Sequence, residues 1–173
     1  MDAHNVTFLT IDMMCEHVRK ARVAYPFPTL AHSLLLASNA SPNPNQELAS
    51  QIFHTTRRFI VFRRDEQTAL QLGYPEDTEV LQSPLLFAKR IKQYGDCDDF
   101  SMFAASLLRA TNVGIVKFAI CKVDNQQHYS HVYVVWYPNH MQRIVLDCSH
   151  APYMGWEANQ SFNVTEVKEI VCQ

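Results

Sequence analysis

The stretch that leads into residue 97 constrains the fold more than any other part of the chain, because it places a turn, a helix cap and a cysteine in succession. Gly95 can adopt the positive φ that ends a preceding helix, and Asp96 is of a type preferred at a helix N-cap. Cys97 therefore begins a helix, which is predicted to close between residues 111 and 114. The apolar residues of this helix recur at the spacing of one face: Phe100, Phe103, Ala104, Leu107 and Leu108.

Cys97 has two interpretations. As a small apolar residue at the end of a buried helical stripe, it is typical of a core position. As a thiol at the positive end of a helix, it is a candidate nucleophile and is expected to be the most reactive of the five thiols. Asp98 and Asp99 oppose that reactivity, since neighbouring negative charge disfavours a thiolate.

Composition places the chain among ordinary globular domains. Its 173 residues are 47% hydrophobic and 18% charged with a net charge of −2, which predicts one domain with a sizeable core and no nucleic-acid partner. No apolar stretch is long enough to span a membrane, and the start lacks the features of a signal peptide. We therefore expect an intracellular, cytoplasmic protein.

The five cysteines are odd in number, widely spread and contain no CxxC pair, which agrees with a reducing compartment. We expect neither a metal site nor a cofactor from this pattern. The cysteines are Cys15, Cys97, Cys121, Cys148 and Cys172.

The N-terminal part is predicted to be mainly helical. Residues 6–11 are expected to form a short strand or an extended lead-in, and Asp12 to cap a helix that continues to about Ala24. A second helix is predicted over 29–38, and Pro44 suits the first position of a third.

The middle of the chain is predicted to contain a long connection. Residues 65–82 form an expected mobile flap over the Cys97 site, because loops of this length are often functional. Ser83 is then expected to cap a helix that runs to about Tyr94.

Three β-like runs follow at 115–123, 131–137 and 143–149, joined by short polar links as in an antiparallel meander. The chain is divided accordingly into an N-terminal helical extension (1–45), a core (46–155) and a C-terminal segment (156–173). That last segment contains a possible edge strand.

The link between the second and third runs predicts a partner for the cysteine. A hairpin there places His131 opposite Ser149 and Tyr133 opposite Asp147. His131 and Asp147 then lie on one sheet face as diagonal neighbours, close enough for a histidine–carboxylate contact, whereas a slip of one residue would separate them. An aspartate in an apolar strand also needs a partner, and the imidazole supplies one.

Other interpretations of these residues stay open. His131 could be an exposed residue at the start of its strand, and Asp147 could simply open a turn. His128 is a rival base in the polar link before the strand, and His150 is a poorer candidate. We expect the Cys97 helix to pack on the His131 face of the sheet, with the N-terminal helices on the other face.

Three motifs of this chain follow a known pattern: Tyr94-Gly95-Asp96-Cys97-Asp98-Asp99-Phe100, His131-Val132-Tyr133-Val134 and Leu146-Asp147-Cys148-Ser149. They resemble the transglutaminase-like superfamily, over about residues 46–155. Two upstream stretches are similar to small stand-alone members of bacteria and their phages: Arg63-Arg64-Asp65 and Glu79-Val80-Leu81-Gln82-Ser83-Pro84.

The resemblance implies a papain-like α+β fold, with an active-site helix packed on an antiparallel sheet and a Cys97–His131–Asp147 triad. It does not fix the reaction, because the superfamily contains cross-linking transglutaminases, peptidases, amidases and inactive members. No tryptophan precedes Cys97 where large transglutaminases use one to stabilise the oxyanion. The Cys97 backbone N–H with Gln82, Gln93 or Tyr94 is the expected substitute.

We therefore expect acyl transfer on a glutamine or peptide amide through a thioester, resolved by water or by an amine such as lysine. A cysteine peptidase or amidase with the same triad is one alternative. A non-catalytic scaffold or phage virion component that keeps the fold is another. The expected partner is a protein or peptide substrate.

Overall fold

The helix that begins at Cys97 lies at the centre of the fold. The computed structural model describes residues 3–124 and 126–172, with side chains from Thr7 onward. Within these residues the helices are α1 (Ala3–Ala21), α2 (Phe27–Ser38), α3 (Pro44–Phe59), α4 (Asp65–Leu72), α5 (Pro84–Phe87) and α6 (Cys97–Thr111). The strands are β1 (Ile60–Phe62), β2 (Gln93–Gly95), β3 (Ile115–Val123), β4 (His131–Asn139), β5 (Gln142–Leu146) and β6 (Val164–Val171).

Helix α6 has the predicted start and end. The Asp96 side chain accepts a hydrogen bond from the Asp98 N–H at 3.1 Å, and Asn112 closes the helix in the left-handed conformation with φ 57°. All residues from 98 to 108 are buried, because helices and the sheet surround α6. Phe27 of α2 and Phe59 of α3 both contact the Phe103 ring, at centroid distances of 5.1 and 5.3 Å.

The larger sheet is antiparallel with strand order β5-β4-β3-β6. Val134 pairs with Leu146 and Trp136 with Ile144, which confirms the predicted hairpin register. Strand β6 pairs with β3 and forms an edge of the sheet, as predicted for the C-terminal segment. The α+β class is therefore confirmed.

The predicted side of the sheet for α6 is wrong. Trp136 Nε1 donates to the Val113 carbonyl, one residue beyond the α6 C-cap, at 2.8 Å. The Cys148 side chain hydrogen-bonds to Thr56 of α3. The helices therefore cover the face that carries Val132, Val134, Trp136, Ile144 and Leu146.

The His131 face is covered by the C-terminal segment instead. Tyr133 Oη donates to Glu157 at 2.8 Å, and the Phe162 ring lies 6.4 Å from the His131 ring, centroid to centroid. This face is the more polar of the two, so the apolar α6 packs on the other. Helix α6 therefore approaches His131 at the beginning of β4 and does not lie across its side of the sheet.

The N-terminal segment is helical where a strand or lead-in was expected. Residues 6–11 belong to α1, and Asp12 lies inside this helix and does not cap it. Ile11, Met14 and Val18 are buried at helical spacing in the shared core. Packing against α6 therefore overrides the β-branched residues of the segment.

The connection before α6 is partly structured, which corrects the predicted flap. Helix α4 occupies its first eight residues, with Thr68 and Ala69 buried, and ends at Gly73 with φ 80°. The Val80 N–H then donates to Asp65 Oδ2 at 2.6 Å, which ties the later part of the loop back to the α4 N-terminus.

The helix predicted over residues 83–94 is only one turn long. Helix α5 ends at Phe87, and Ser83 occupies the cap position without a side-chain hydrogen bond. The chain then enters β2, which pairs in parallel with β1 and leads directly into α6. None of the described helices combines the length and apolar content that crossing a bilayer requires.

Candidate active site

A cavity of about 710 Å³ opens where the N-terminus of α6 meets the beginning of β4. Its lining includes Cys97, His131 and His150, and the aromatic rings of Phe62 and Phe162. The cavity thus brings together two of the three predicted catalytic residues, and Asp147 lies directly behind His131.

Cys97 is placed by its neighbours in sequence. Gly95 lies in β2 without a positive φ, so its predicted role as a helix terminator is wrong. It is needed because a Cβ there would lie 2.6 Å from Asp99 Oδ2 and 2.8 Å from Asp99 Cβ. The bare backbone of Gly95 therefore lets α6 begin immediately after β2.

His131 and Asp147 form a buried pair. Their Nε2 and Oδ2 atoms are 2.7 Å apart, and the residues are 7% and 1% exposed. Asp147 Oδ1 also accepts the Ser149 hydroxyl at 3.0 Å and the His150 N–H at 3.1 Å. All the donors around this carboxylate are thus provided by the turn that follows it and by the imidazole.

The environment of Asp147 keeps it ionised. Burial raises the pKa of the carboxyl, but the hydrogen bond and charge of His131 and the His150 N–H outweigh burial, so the pKa is lowered overall. Because an ionised carboxylate only accepts hydrogen bonds, His131 Nε2 must carry its proton. The lone pair of the neutral ring is then on Nδ1.

The Cys97 side of the cavity differs. The thiol donates to Asp98 Oδ1 at 3.6 Å, and no hydrogen bond joins it to the His131 ring. Burial and the charges of Asp96 and Asp98 raise the pKa of Cys97 well above its usual value, against a smaller lowering by the Val132 N–H. Cys97 is therefore a thiol in this arrangement, contrary to the expected effect of the helix N-terminus.

The thiol lies among several carboxyl groups. Burial, followed by repulsion from Asp65 and Glu79, raises the pKa of Asp96 to about 8. Burial raises the pKa of Asp65 to about 6, and that of Asp98 is raised strongly by burial and by Asp96. The carboxyl residues that line the cavity are Asp65, Glu66, Glu79, Asp96 and Asp98.

The predicted oxyanion residues have other partners. Gln82 Nε2 donates to the Tyr94 carbonyl at 2.9 Å and to Asp99 Oδ2 at 3.1 Å, and Gln93 Nε2 donates to the Leu86 carbonyl at 2.7 Å. The Tyr94 ring is exposed under the Arg63 guanidinium, 3.3 Å from its centroid. None of Gln82, Gln93 and Tyr94 lines the cavity.

The Cys97 N–H remains as the predicted oxyanion donor. It occupies the first helical position, where the chain offers no intrahelical carbonyl to accept it.

His150 is more central than the sequence indicated. Its ring meets that of His131 edge-on, with centroids 4.7 Å apart, and contacts Phe62 at 4.9 Å and Phe162 at 5.9 Å. The sequence signal was its position three residues after Asp147, within reach of that side chain. His128, the rival base, also lines the cavity.

The pKa values of the thiols do not follow the expectation that Cys97 is the most reactive of the five. A hydrogen bond with Cys172 lowers the pKa of Cys15, whereas burial raises that of Cys121 to about 12.

No protein-family model, curated protein or solved structure matches this chain. The functional interpretation therefore depends on the arrangement of Cys97, His131 and Asp147.

Proposed function

We propose that the protein is a cysteine acyltransferase in which Cys97 attacks a glutamine or peptide amide, with His131 as base and Asp147 as its orienting group. The observation that carries the proposal is the buried 2.7 Å contact between His131 Nε2 and Asp147 Oδ2, on the wall of a cavity shared with Cys97. A histidine that only fills the core would not face a cavity, and a solvent-exposed histidine at the start of a strand would not pair with a buried carboxylate.

The tautomer of His131 supports the direction of proton transfer. Since Nε2 donates to Asp147, only Nδ1 can accept the Cys97 proton. The S–H must first turn from Asp98 toward the ring, because the resting thiol is bonded to that carboxyl. Asp147 then stabilises the imidazolium that forms.

The proposed reaction proceeds through a thioester intermediate. The proton of the Cys97 thiol passes to His131 Nδ1, and the sulfur forms a bond to the amide carbonyl carbon. The carbon–nitrogen bond breaks as His131 returns the proton to the leaving amine. Water or a second amine then attacks the thioester and gives its proton to His131. The carbon–sulfur bond breaks, His131 passes the proton to the departing sulfur, and either an acid or a new amide is released.

The backbone of α6 is suited to stabilise the tetrahedral intermediate. The Cys97 N–H is at the helix N-terminus, where it can donate to a developing oxyanion. A papain-like arrangement of helix and sheet is part of this proposal, and the resemblance of the motifs to the transglutaminase-like superfamily supports it.

A non-catalytic binding protein is the second candidate. The observation that favours it is the raised pKa of Cys97 together with the thiol–Asp98 hydrogen bond, which keep the sulfur protonated. In that case the cavity binds an amide-containing partner without turnover.

Incubation with a glutamine-containing peptide and a labelled primary amine distinguishes these outcomes. Amine incorporation indicates a transferase, hydrolysis or ammonia release alone indicates an amidase or peptidase, and neither supports the binding protein. Cys97→Ala should abolish either reaction, whereas Cys15→Ala should retain it because Cys15 does not line the cavity. Activity that survives Cys97→Ala would refute the mechanism.

A further inference from the structure

We propose that His131 Nδ1 and His150 Nε2 bind a Zn²⁺ ion in the cavity, with Asp147 behind the His131 ring, and that the ion blocks the candidate active site. One ring nitrogen of each histidine and one Asp147 oxygen lie within 4.8 Å of one another. The blocking effect rests on the proposed acyl transfer, whereas the binding of the ion does not.

A chain of hydrogen bonds prepares both imidazoles as ligands. The Ser149 hydroxyl gives its single proton to Asp147 Oδ1 at 3.0 Å, so it can only accept from His150 Nδ1, which lies 2.9 Å away. His150 Nδ1 therefore carries its proton and Nε2 keeps the lone pair. By the same reasoning His131 keeps its lone pair on Nδ1, because Nε2 donates to Asp147.

This is the arrangement found around histidine ligands of zinc. A ligating histidine commonly donates its other ring N–H to a carboxylate or another acceptor, which fixes the ring and makes it a better ligand. Asp147 has that role for His131, and Ser149 has it for His150. Two imidazoles beside a carboxylate favour Zn²⁺ over Ca²⁺ or Mg²⁺, which prefer sites made of oxygen ligands.

The site combines fixed and adjustable parts. His131 and Asp147 are buried and held in place, whereas His150 is exposed and can rotate. Ligand atoms about 2.0–2.2 Å from a tetrahedral metal lie roughly 3.3 Å apart, so the His150 ring must bring Nε2 to about that distance from His131 Nδ1. The rings of Phe62 and Phe162 against His150 give the site an apolar border.

Occupation of the site removes the base. The ion takes the Nδ1 lone pair of His131, which is the acceptor proposed for the Cys97 proton. No thioester can then form until the metal leaves. Zinc thus acts as a reversible inhibitor that competes with the proton of Cys97 for one nitrogen.

Zn²⁺ calorimetry and Co²⁺ ligand-field absorption on the full chain test the binding without any assay of activity. His150→Ala should weaken binding at least about tenfold, and Ser149→Ala by roughly tenfold because the tautomer of His150 is no longer fixed. His128→Ala is the matched control, since His128 lines the same cavity outside the three-residue group, and it should bind like the wild type. Equal binding by the wild type and His150→Ala, or equal losses in His150→Ala and His128→Ala, would overturn the site.

Titration of Zn²⁺ into the amine-incorporation assay tests the blocking effect. Each protein is compared with its own rate in the absence of metal, and inhibition should follow the calorimetric affinity in the wild type and require more metal in His150→Ala. Binding without inhibition would overturn the blocking effect. A wild type without any turnover would contradict the proposed function, and calorimetry would still decide the metal site.

Discussion

The two sides of the cavity are prepared to very different degrees. On the sheet side, His131 and Asp147 are buried and hydrogen-bonded to each other, and the pair fixes the His131 ring in one tautomer. On the helix side, Cys97 is hydrogen-bonded to Asp98, and burial together with the charges of Asp96 and Asp98 raises its pKa. The base is thus ready for proton transfer, whereas the nucleophile is held as a thiol.

The difference teaches that a helix N-terminus does not by itself activate a cysteine. The dipole stabilises a nearby anion by about 0.3–1 kcal/mol, and one pKa unit corresponds to about 1.4 kcal/mol. Burial of the sulfur and the charges of Asp96 and Asp98 act in the opposite direction and win here. Activation of Cys97 therefore depends on proton transfer to His131.

Asp147→Asn tests the prepared side and should have the largest effect. An amide cannot hold His131 in the required tautomer or stabilise its cation, so we expect kcat to fall roughly 10³- to 10⁴-fold while circular dichroism shows a native fold. Glu157→Gln is the control, because Glu157 bonds to Tyr133 and Arg143 on the same sheet face. A variant that loses stability but keeps its rate per folded molecule would make Asp147 structural.

Asp98→Asn tests the unprepared side. Removal of the Asp98 carboxyl, which accepts the resting S–H and disfavours a thiolate, should lower the pKa of Cys97 and raise its alkylation rate by iodoacetamide several-fold near neutral pH. Peptide mass spectrometry identifies the modified thiol, and Asp77→Asn at an exposed position controls for net charge. An unchanged rate at Cys97 would show that burial alone sets its acidity.

The carboxyl groups around Cys97 should also affect stability, to a smaller extent. The pKa values of Asp65 and Asp96 are raised from 3.8 to about 6 and about 8, so the folded state binds their protons more tightly than the unfolded state. Their contribution is complete below about pH 4 and is lost as pH rises through these values.

Urea unfolding of Asp96→Asn, which keeps a good helix cap, measures that contribution. The free energy of unfolding should decline less than in the wild type between pH 4 and pH 8, by about 1 kcal/mol after allowance for solvent screening and coupling. Parallel pH profiles of the two proteins would contradict the assigned proton uptake.

Local signals explain what could be predicted from the sequence. Asp96 capped α6 as expected, because capping depends on residues within one turn. The register of β4 and β5 followed from the link between them and placed His131 beside Asp147. Short-range stereochemistry was enough for both.

Tertiary packing decided the rest. Residues 6–11 became helical because α1 buries Ile11 and Met14, and Gly95 was needed for the close approach of Asp99. The first requirement comes from packing against α6, which is distant in sequence, whereas the second depends on how the first turn of α6 folds back against β2. The carboxyl cluster was missed for the same reason, since Asp65 and Glu79 reach Asp96 only through the fold of α4 and its following loop.

The strand order has a consequence for synthesis on the ribosome. Strand β6 follows β5 in sequence but lies at the opposite edge of the sheet, where it pairs with β3. One edge of β3 therefore stays unpaired until residues 164–171 have left the ribosome. An open strand edge is a template for association with other chains. The nascent polypeptide is therefore most vulnerable to aggregation while β3, β4 and β5 are already translated and β6 is still being made.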